Sequence, residues 1–229
     1  MENKKIMLVG ASGTGKTTLA KYISEKYAVP FISGSSSDLV PELKELSHID
    51  MLSMEERQLW ENEFKILRAR GEAFTNYDNF VTDRSFIDNM AYCTFKCSKF
   101  SSKELMDSFF EEAEELLKQN CTDLIFLSFG RESINKWDFE PNGKRILNGY
   151  FQWMISAIMD DILIGKVNHI YGQTHQDGLI TSQMSIIDVN FKKIKVLHLY
   201  DLDLEVRKDI IDNFLNQNPP KSLYLNEEA

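Results

Sequence analysis

Residues 4–27 read KKIMLVGASGTGKTTLAKYISEKY, and this stretch confines the fold more than any other. An apolar run too short for a helix ends in Gly10 and reads as a buried parallel strand. Gly13 and Gly15 follow at once, and Leu19, Tyr22, Ile23 and Tyr27 then recur at helical spacing. A strand that turns through glycines straight into a helix leaves successive backbone N–H groups pointing inward at the positive end of the helix dipole, which makes an anion site. Gly10, Gly13 and Gly15 allow backbone angles that a Cβ resists. The spacing Gly10-x4-Gly15-Lys16-Thr17 is that of a loop that cradles nucleotide phosphates, with Ser12, Thr14 and Thr18 completing it. Lys16 can reach β- and γ-phosphates, and the Thr17 hydroxyl can ligate Mg²⁺, so ATP and Mg²⁺ are the expected cofactors.

At 229 residues the chain has the length of one domain, residues 1–229, with room for a small insertion. Candidate strands VPFIS, NFVTDRS, TDLIFLSFG and KIKVLHLY alternate with amphipathic segments, which argues for an α/β domain: a parallel sheet with helices on both faces. The segment SMEERQLWENEFKILRARGEAF predicts a long helix capped by Ser53 with Glu56 closing a capping box, and Leu59, Phe64 and Leu67 as its apolar stripe. Residues 167–191 predict a hairpin inserted before the last strand. A net charge of −9 argues against a protein that grips nucleic acid non-specifically, so DNA is a disfavoured partner. No apolar run approaches the roughly 18 residues of a membrane span, and the N-terminal apolar run turns into the glycine loop rather than a cleavage site. The three cysteines, Cys93, Cys97 and Cys121, are expected to be buried free thiols in a cytoplasmic protein.

A phosphate loop serves motors, switches and kinases alike. Motors and switches carry a carboxylate at the end of a second apolar strand, whereas TDLIFLSFG has Asp123 at its start. The letters NKWD at 135–138 match a guanine-reading motif, but the accompanying D-x-x-G is missing, and TDRS stands in its place. In VTDRSFIDNMAY, Asp83 falls at the C-terminal end of its strand, where open α/β sheets bind ligands. A carboxylate there can hold Mg²⁺ or accept the proton of an attacking hydroxyl. Arg84 beside it can pair with a phosphate or with charge developing in a transition state.

With GASGTGKTT and VTDRSFIDNMAY in one chain, the sequence resembles the P-loop nucleoside and nucleotide kinases, a superfamily that includes thymidylate kinase, the deoxynucleoside kinases and the nicotinamide riboside kinase group. The spacing of Asp83, Arg84, Asp88, Ala91 and Tyr92, and the later Trp137, Asp138, Asn142, Gly143, Lys144 and Arg145, are similar to phage and bacterial members labelled AAA-like ATPases. The resemblance implies a three-layer fold around a five-stranded parallel sheet of order 2-3-1-4-5, an acceptor-binding region at about 33–76 and a lid at about 130–146. Arg131, Lys136, Lys144 and Arg145 fall in that lid, and closing cations neutralise charge on a transferred phosphoryl group while water is excluded.

One departure bears on the acceptor. Many relatives place a carboxylate base for a nucleoside hydroxyl at the end of strand two, where this chain reads ISGSSSDL and Asp38 lies beyond the strand. Ser35, Ser36 and Ser37 can instead hold an acceptor phosphate. Of the arginines on the next helix, Arg57 and Arg68 share a face, and the helix carrying Arg68 and Arg70 borders the acceptor in this fold. The expectation is therefore a kinase of a small nucleotide acceptor, a deoxynucleoside monophosphate first of all. In it, Lys16, Asp83, Arg84, Arg131 and Arg145 are catalytic, and Thr17 and Asp83 hold the metal. Ser35, Ser36, Ser37, Asp38, Arg68 and Arg84 bind the acceptor. A nucleoside kinase, a kinase of hydroxymethylated bases in DNA, and an ATPase switch with a protein partner are the alternatives; a homodimer is compatible with each.

Overall fold

The computed structural model describes residues 3–100, 102–134, 148–176, 179–200 and 203–217. The chain runs β1 (Lys5–Gly10), α1 (Lys16–Tyr27), β2 (Phe31–Ile32), α2 (Ser36–Leu39), α3 (His48–Ser53), α4 (Glu56–Thr75), β3 (Phe80–Thr82), α5 (Phe86–Cys97) and α6 (Lys103–Asn120). It continues with β4 (Asp123–Ser128), a 3-10 turn (Arg131–Ser133), α7 (Gly149–Ile164), β5 (Val167–Gln176), β6 (Leu179–Val189), β7 (Lys192–Tyr200) and α8 (Leu204–Asn216).

The strands form one sheet in the order β2-β3-β1-β4-β7-β6-β5. This corrects the all-parallel, five-stranded expectation: β2, β3, β1, β4 and β7 run parallel, but β6 and β5 add two antiparallel strands, so the sheet has seven strands of mixed direction. The reason is local. β6 and β7 are joined by a short turn at Asn190 and Phe191, both with positive φ, and a connection that short can only reverse the chain.

The two-residue period of β1 divides the core. Ile6 and Leu8 face α1 and α8, with Leu19, Ile23, Ile211 and Phe214. Met7 and Val9 face the other layer, with Leu67, Phe86, Phe109 and Ile155 from α4 to α7. A central strand covered on both faces is apolar throughout, which explains why KIMLVG shows no alternation. The parallel register sets Gly10 beside Leu127, so the ends of β1 and β4 open at one rim of the sheet. Asp123 lies at the opposite rim, bonded to Lys4 and Lys195, far along the strand from the glycine loop.

Helix starts differ in part from expectation. Ser47 and Asp50 form a capping box for α3, and Ser53 ends that helix with its hydroxyl on the Asp50 carbonyl, 2.8 Å away. α4 then begins afresh with Glu55 as its N-cap. Among the described residues no helix is long and apolar enough to cross a membrane. Cys93, Cys97 and Cys121 are free and buried.

His198, on β7 and 1% exposed, has no hydrogen-bond partner at either ring nitrogen among the described residues, the Asp160 carboxylate lying 3.9 Å from Nδ1. Burial pushes its imidazole down to about 4, whereas the unfolded chain titrates near 6.5. Between those values the unfolded state binds a proton that the folded state refuses. Stability therefore falls as pH drops from about 6.5 to about 4, by about 3 kcal/mol at the acid end. Urea melts at pH 7 and pH 4.5 check this, and His198→Phe removes the histidine's share of the slope.

Candidate active site

β1 delivers Gly10 to the rim, where φ is +150° and a Cβ would meet the Leu127 carbonyl oxygen at 2.7 Å. Gly15 caps α1 at φ 89°, in the left-handed region open to glycine without strain. Between them the loop is held by its own polar groups. The Thr14 hydroxyl donates to the Ala11 carbonyl at 2.9 Å, and the Ser12 hydroxyl lies 3.1 Å from that of Tyr92 on α5. The Lys16 ammonium is buried, and it bonds the Gly10 carbonyl and, at 2.7 Å, that of Ala11. Thr17 and Thr18 are exposed at the mouth of the loop. The structure brings the whole predicted set, Gly10 to Thr18, together at the N-terminus of α1, an end that favours anions.

Asp83 follows β3 and is 8% exposed. It accepts the Thr17 hydroxyl at 2.5 Å and the Gly34 N–H at 3.2 Å. Burial pushes its carboxyl up, but the Thr17 bond, the Arg84 charge, the Gly34 N–H and Lys16 together hold it below the usual range. The carboxylate is therefore ionised at neutral pH and sits against the hydroxyl at the mouth of the loop. A hydroxyl and one carboxylate beside a phosphate cradle suit Mg²⁺, which keeps most of its waters and takes few protein ligands. Among the described residues no cluster of three or more His, Cys, Asp or Glu side chains could hold a metal by itself, and such a site needs none.

Next to the loop lies a cavity of about 230 Å³. Ser12 of the loop, Arg84, Ser35, Ser36, Ser37 and Lys44 line it. Arg70, 4% exposed, ties the walls together: it donates to the carbonyls of Gly34 at 2.6 Å and Ser85 at 3.0 Å and to Asn89. Burial lowers its guanidinium to about 10, which still leaves it charged at neutral pH.

The other predicted residues are placed differently. Arg68 does not join the cavity; it is exposed, forks onto Glu112 of α6 at 2.7 and 2.8 Å, and lies over Phe64. Two residues along a helix turn the side chain about 200°, so Arg70 points inward where Arg68 points out. Asp38 is exposed and accepts the Ser33 hydroxyl at 2.6 Å, away from the cavity lining. Arg131 is exposed on the turn after β4. Arg145, with Lys136, Trp137, Asp138, Asn142, Gly143, Lys144 and the NKWD letters, lies outside the described residues.

Three contacts lie outside the predicted roles. Arg207 of α8, 3% exposed, donates to the Thr14 carbonyl at 2.9 Å and so braces the loop from a helix 190 residues away. Tyr92 links the cavity wall to the loop through Ser12. Glu63 and Lys96, a buried ion pair, line the same cavity.

Comparison with known proteins bears on the fold and the family. Two solved structures of deoxyadenosine kinase from M. mycoides share the fold: one with dCMP and dCDP has a TM-score of 0.58 at 13% identity over 92% of this chain and 98% of the other. The second, with dATP, has a TM-score of 0.57 at 14% identity over 93% and 100%. No curated protein matches. A family model described as an AAA domain matches residues 5–145, which hold the loop, Asp83, Arg84 and every cavity residue named above. The chain belongs to this AAA-domain family and has the P-loop kinase-like fold.

Proposed function

We propose that the protein transfers the γ-phosphoryl group of ATP to a nucleotide-type acceptor, a deoxynucleoside monophosphate above all. One observation carries the reading: a cavity shares Ser12 with the phosphate loop and is lined by the cations Lys44, Arg70, Arg84 and Lys96 beside the carboxylates Glu63 and Asp88. A motor or switch that passes the phosphoryl group to water has no use for a second pocket there. The fold is shared with a deoxyadenosine kinase whose structures hold dCMP and dCDP or dATP, which supports nucleotide ligands for a cleft of this kind.

In this mechanism the backbone of the loop and Lys16 bind the β- and γ-phosphates and take up charge as the bond to the leaving oxygen lengthens. Thr17 and Asp83 are the groups that would hold Mg²⁺, which supplies charge neutralisation between the phosphates when bound. Arg84 pairs with the acceptor phosphate and aligns it in line with the γ-phosphoryl group. Ser35, Ser36 and Ser37 hydrogen-bond its remaining oxygens. Arg131, at the head of the basic stretch after β4, compensates transition-state charge from the open side. A phosphate acceptor is already ionised and needs no general base, which fits a chain whose Asp38 turns to Ser33 and whose Asp83 is bonded to Thr17.

The test is a panel of deoxynucleoside monophosphates and deoxynucleosides with ATP, read as the phosphorylated product. Diphosphate formation supports the reading, and phosphorylation of nucleosides alone replaces it with nucleoside kinase activity. Gly34 gives a sharper check on alignment. A Cβ there would meet that of Arg84 at 2.4 Å, so Gly34→Ala must displace Arg84. We expect kcat/KM for the acceptor to fall about a hundredfold with ATP affinity little changed, as measured by steady-state kinetics and nucleotide titration.

A further inference from the structure

The cavity beside the phosphate loop is lined in part by a charged pair shielded from water, seven residues along α4 from Arg70 and seven along α5 from Asn89, about two helical turns from the Arg70–Asn89 bond. Glu63 of α4 and Lys96 of α5 are 2% and 5% exposed, bond each other, and both line the cavity. Leu43, Leu46, Met51 and Ile66 are the apolar members of the lining, with the Met51 sulfur 4.0 Å from the Lys96 ammonium. Packing gives little reason for such a pair, since apolar residues of similar volume in its place are often neutral or stabilising. What the pair provides is a carboxylate, able to accept two hydrogen bonds, next to an ammonium able to donate, between greasy surfaces suited to a flat ring.

Among nucleobases that pattern is most fully complemented by guanine. Its pairing edge presents N1–H and N2–H₂ side by side for the two carboxylate oxygens, and O6 for the ammonium. Thymine and uracil have one N–H to give, cytosine has one amino group and adenine has no carbonyl. We infer that Glu63 and Lys96 are the base-reading end of the acceptor pocket and that the acceptor is a guanine nucleotide. The inference rests on the phosphotransferase reading above. On binding, the base inserts its donors at Glu63 and its carbonyl at Lys96, while the phosphate end stays at Arg84.

The experiment has two arms. Initial rates with ATP are measured for the four deoxynucleoside monophosphates, and binding of dGMP and dAMP is measured by calorimetry without ATP. The proteins are the wild type, Glu63→Gln, and the double variant Glu63→Leu/Lys96→Met, which leaves neither charge buried alone. The expected result is a wild-type preference for dGMP over dAMP of at least about tenfold in both arms. Glu63→Gln raises the dGMP KM about tenfold with a smaller change in kcat, and the double variant, folded by circular dichroism, loses the preference. Transfer to another base in preference to guanine overturns the inference and leaves the transfer reading standing. An equal loss for all four acceptors in both variants makes the pair structural and also overturns it. If no acceptor is phosphorylated and neither nucleotide binds, both readings fall together.

Discussion

Lys16→Ala lowers the rate of phosphoryl transfer about a thousandfold or more, the scale seen when one charge that stabilises a transferring group is removed. The loss falls on kcat, because the ammonium acts most strongly as charge spreads over the phosphoryl oxygens. The fold survives. Lys16 bonds the carbonyls of Gly10 and Ala11, and the core on either side of β1 is built by Ile6, Met7, Leu8 and Val9 without it. Near-wild-type circular dichroism and a cooperative melt, together with lost activity, are the expected pair of readouts. Wild-type activity in this variant contradicts the site assignment.

Asp83→Asn is the second large effect. The amide keeps the shape of the side chain but has one acceptor oxygen where the carboxylate uses two, 2.5 Å from the Thr17 hydroxyl and 3.2 Å from the Gly34 N–H; with its oxygen on Gly34, its NH₂ faces Thr17, whose hydroxyl then turns from donor to acceptor. What it loses is the charge, which Thr17, Arg84, Gly34 and Lys16 together keep in place against burial. We expect kcat to fall about a hundredfold or more and the Mg²⁺ concentration for half-maximal rate to rise about tenfold or more. Magnesium titrations of wild type and variant, at saturating ATP, separate this from misfolding. An unchanged magnesium midpoint removes Asp83 from the metal.

Some of this site is legible in the sequence because its geometry is local. Gly10, Gly13, Gly15, Lys16 and Thr17 must stand at fixed spacing for the backbone to wrap an anion, so the letters carry the structure. Asp83 and Arg84 are legible because the end of a strand in an α/β sheet is already a place. The acceptor side is harder, since long-range packing decides which face of α4 turns inward. The periodic positions Leu59, Glu63, Leu67, Arg70 and Phe74 are all buried. An apolar stripe read as Leu59, Phe64 and Leu67 misses that two members of the buried face are charged. A charge at a core-phase position was the available signal for Glu63 and Arg70, and it also separates Arg70 from exposed Arg68. Lys96 lies on another helix and Arg207 lies 193 residues from Thr14, and no local pattern points to either. The sheet shows the same division. Alternating βα units imply the parallel part and residues 167–191 read as an inserted hairpin, whereas its pairing onto β7 as two further strands depends on a turn at Asn190 and Phe191 that neither glycine nor proline marks.

The central claim is that the phosphate loop serves transfer and not hydrolysis. It is tested most directly by following ADP, inorganic phosphate and phosphorylated nucleotide together, with ATP and Mg²⁺, in the presence and absence of deoxynucleoside monophosphates. Transfer predicts that ADP forms at a rate set by the acceptor, with one deoxynucleoside diphosphate made for each ADP and little free phosphate. ADP and phosphate released at the same rate with or without any acceptor would contradict it and make the protein an ATPase.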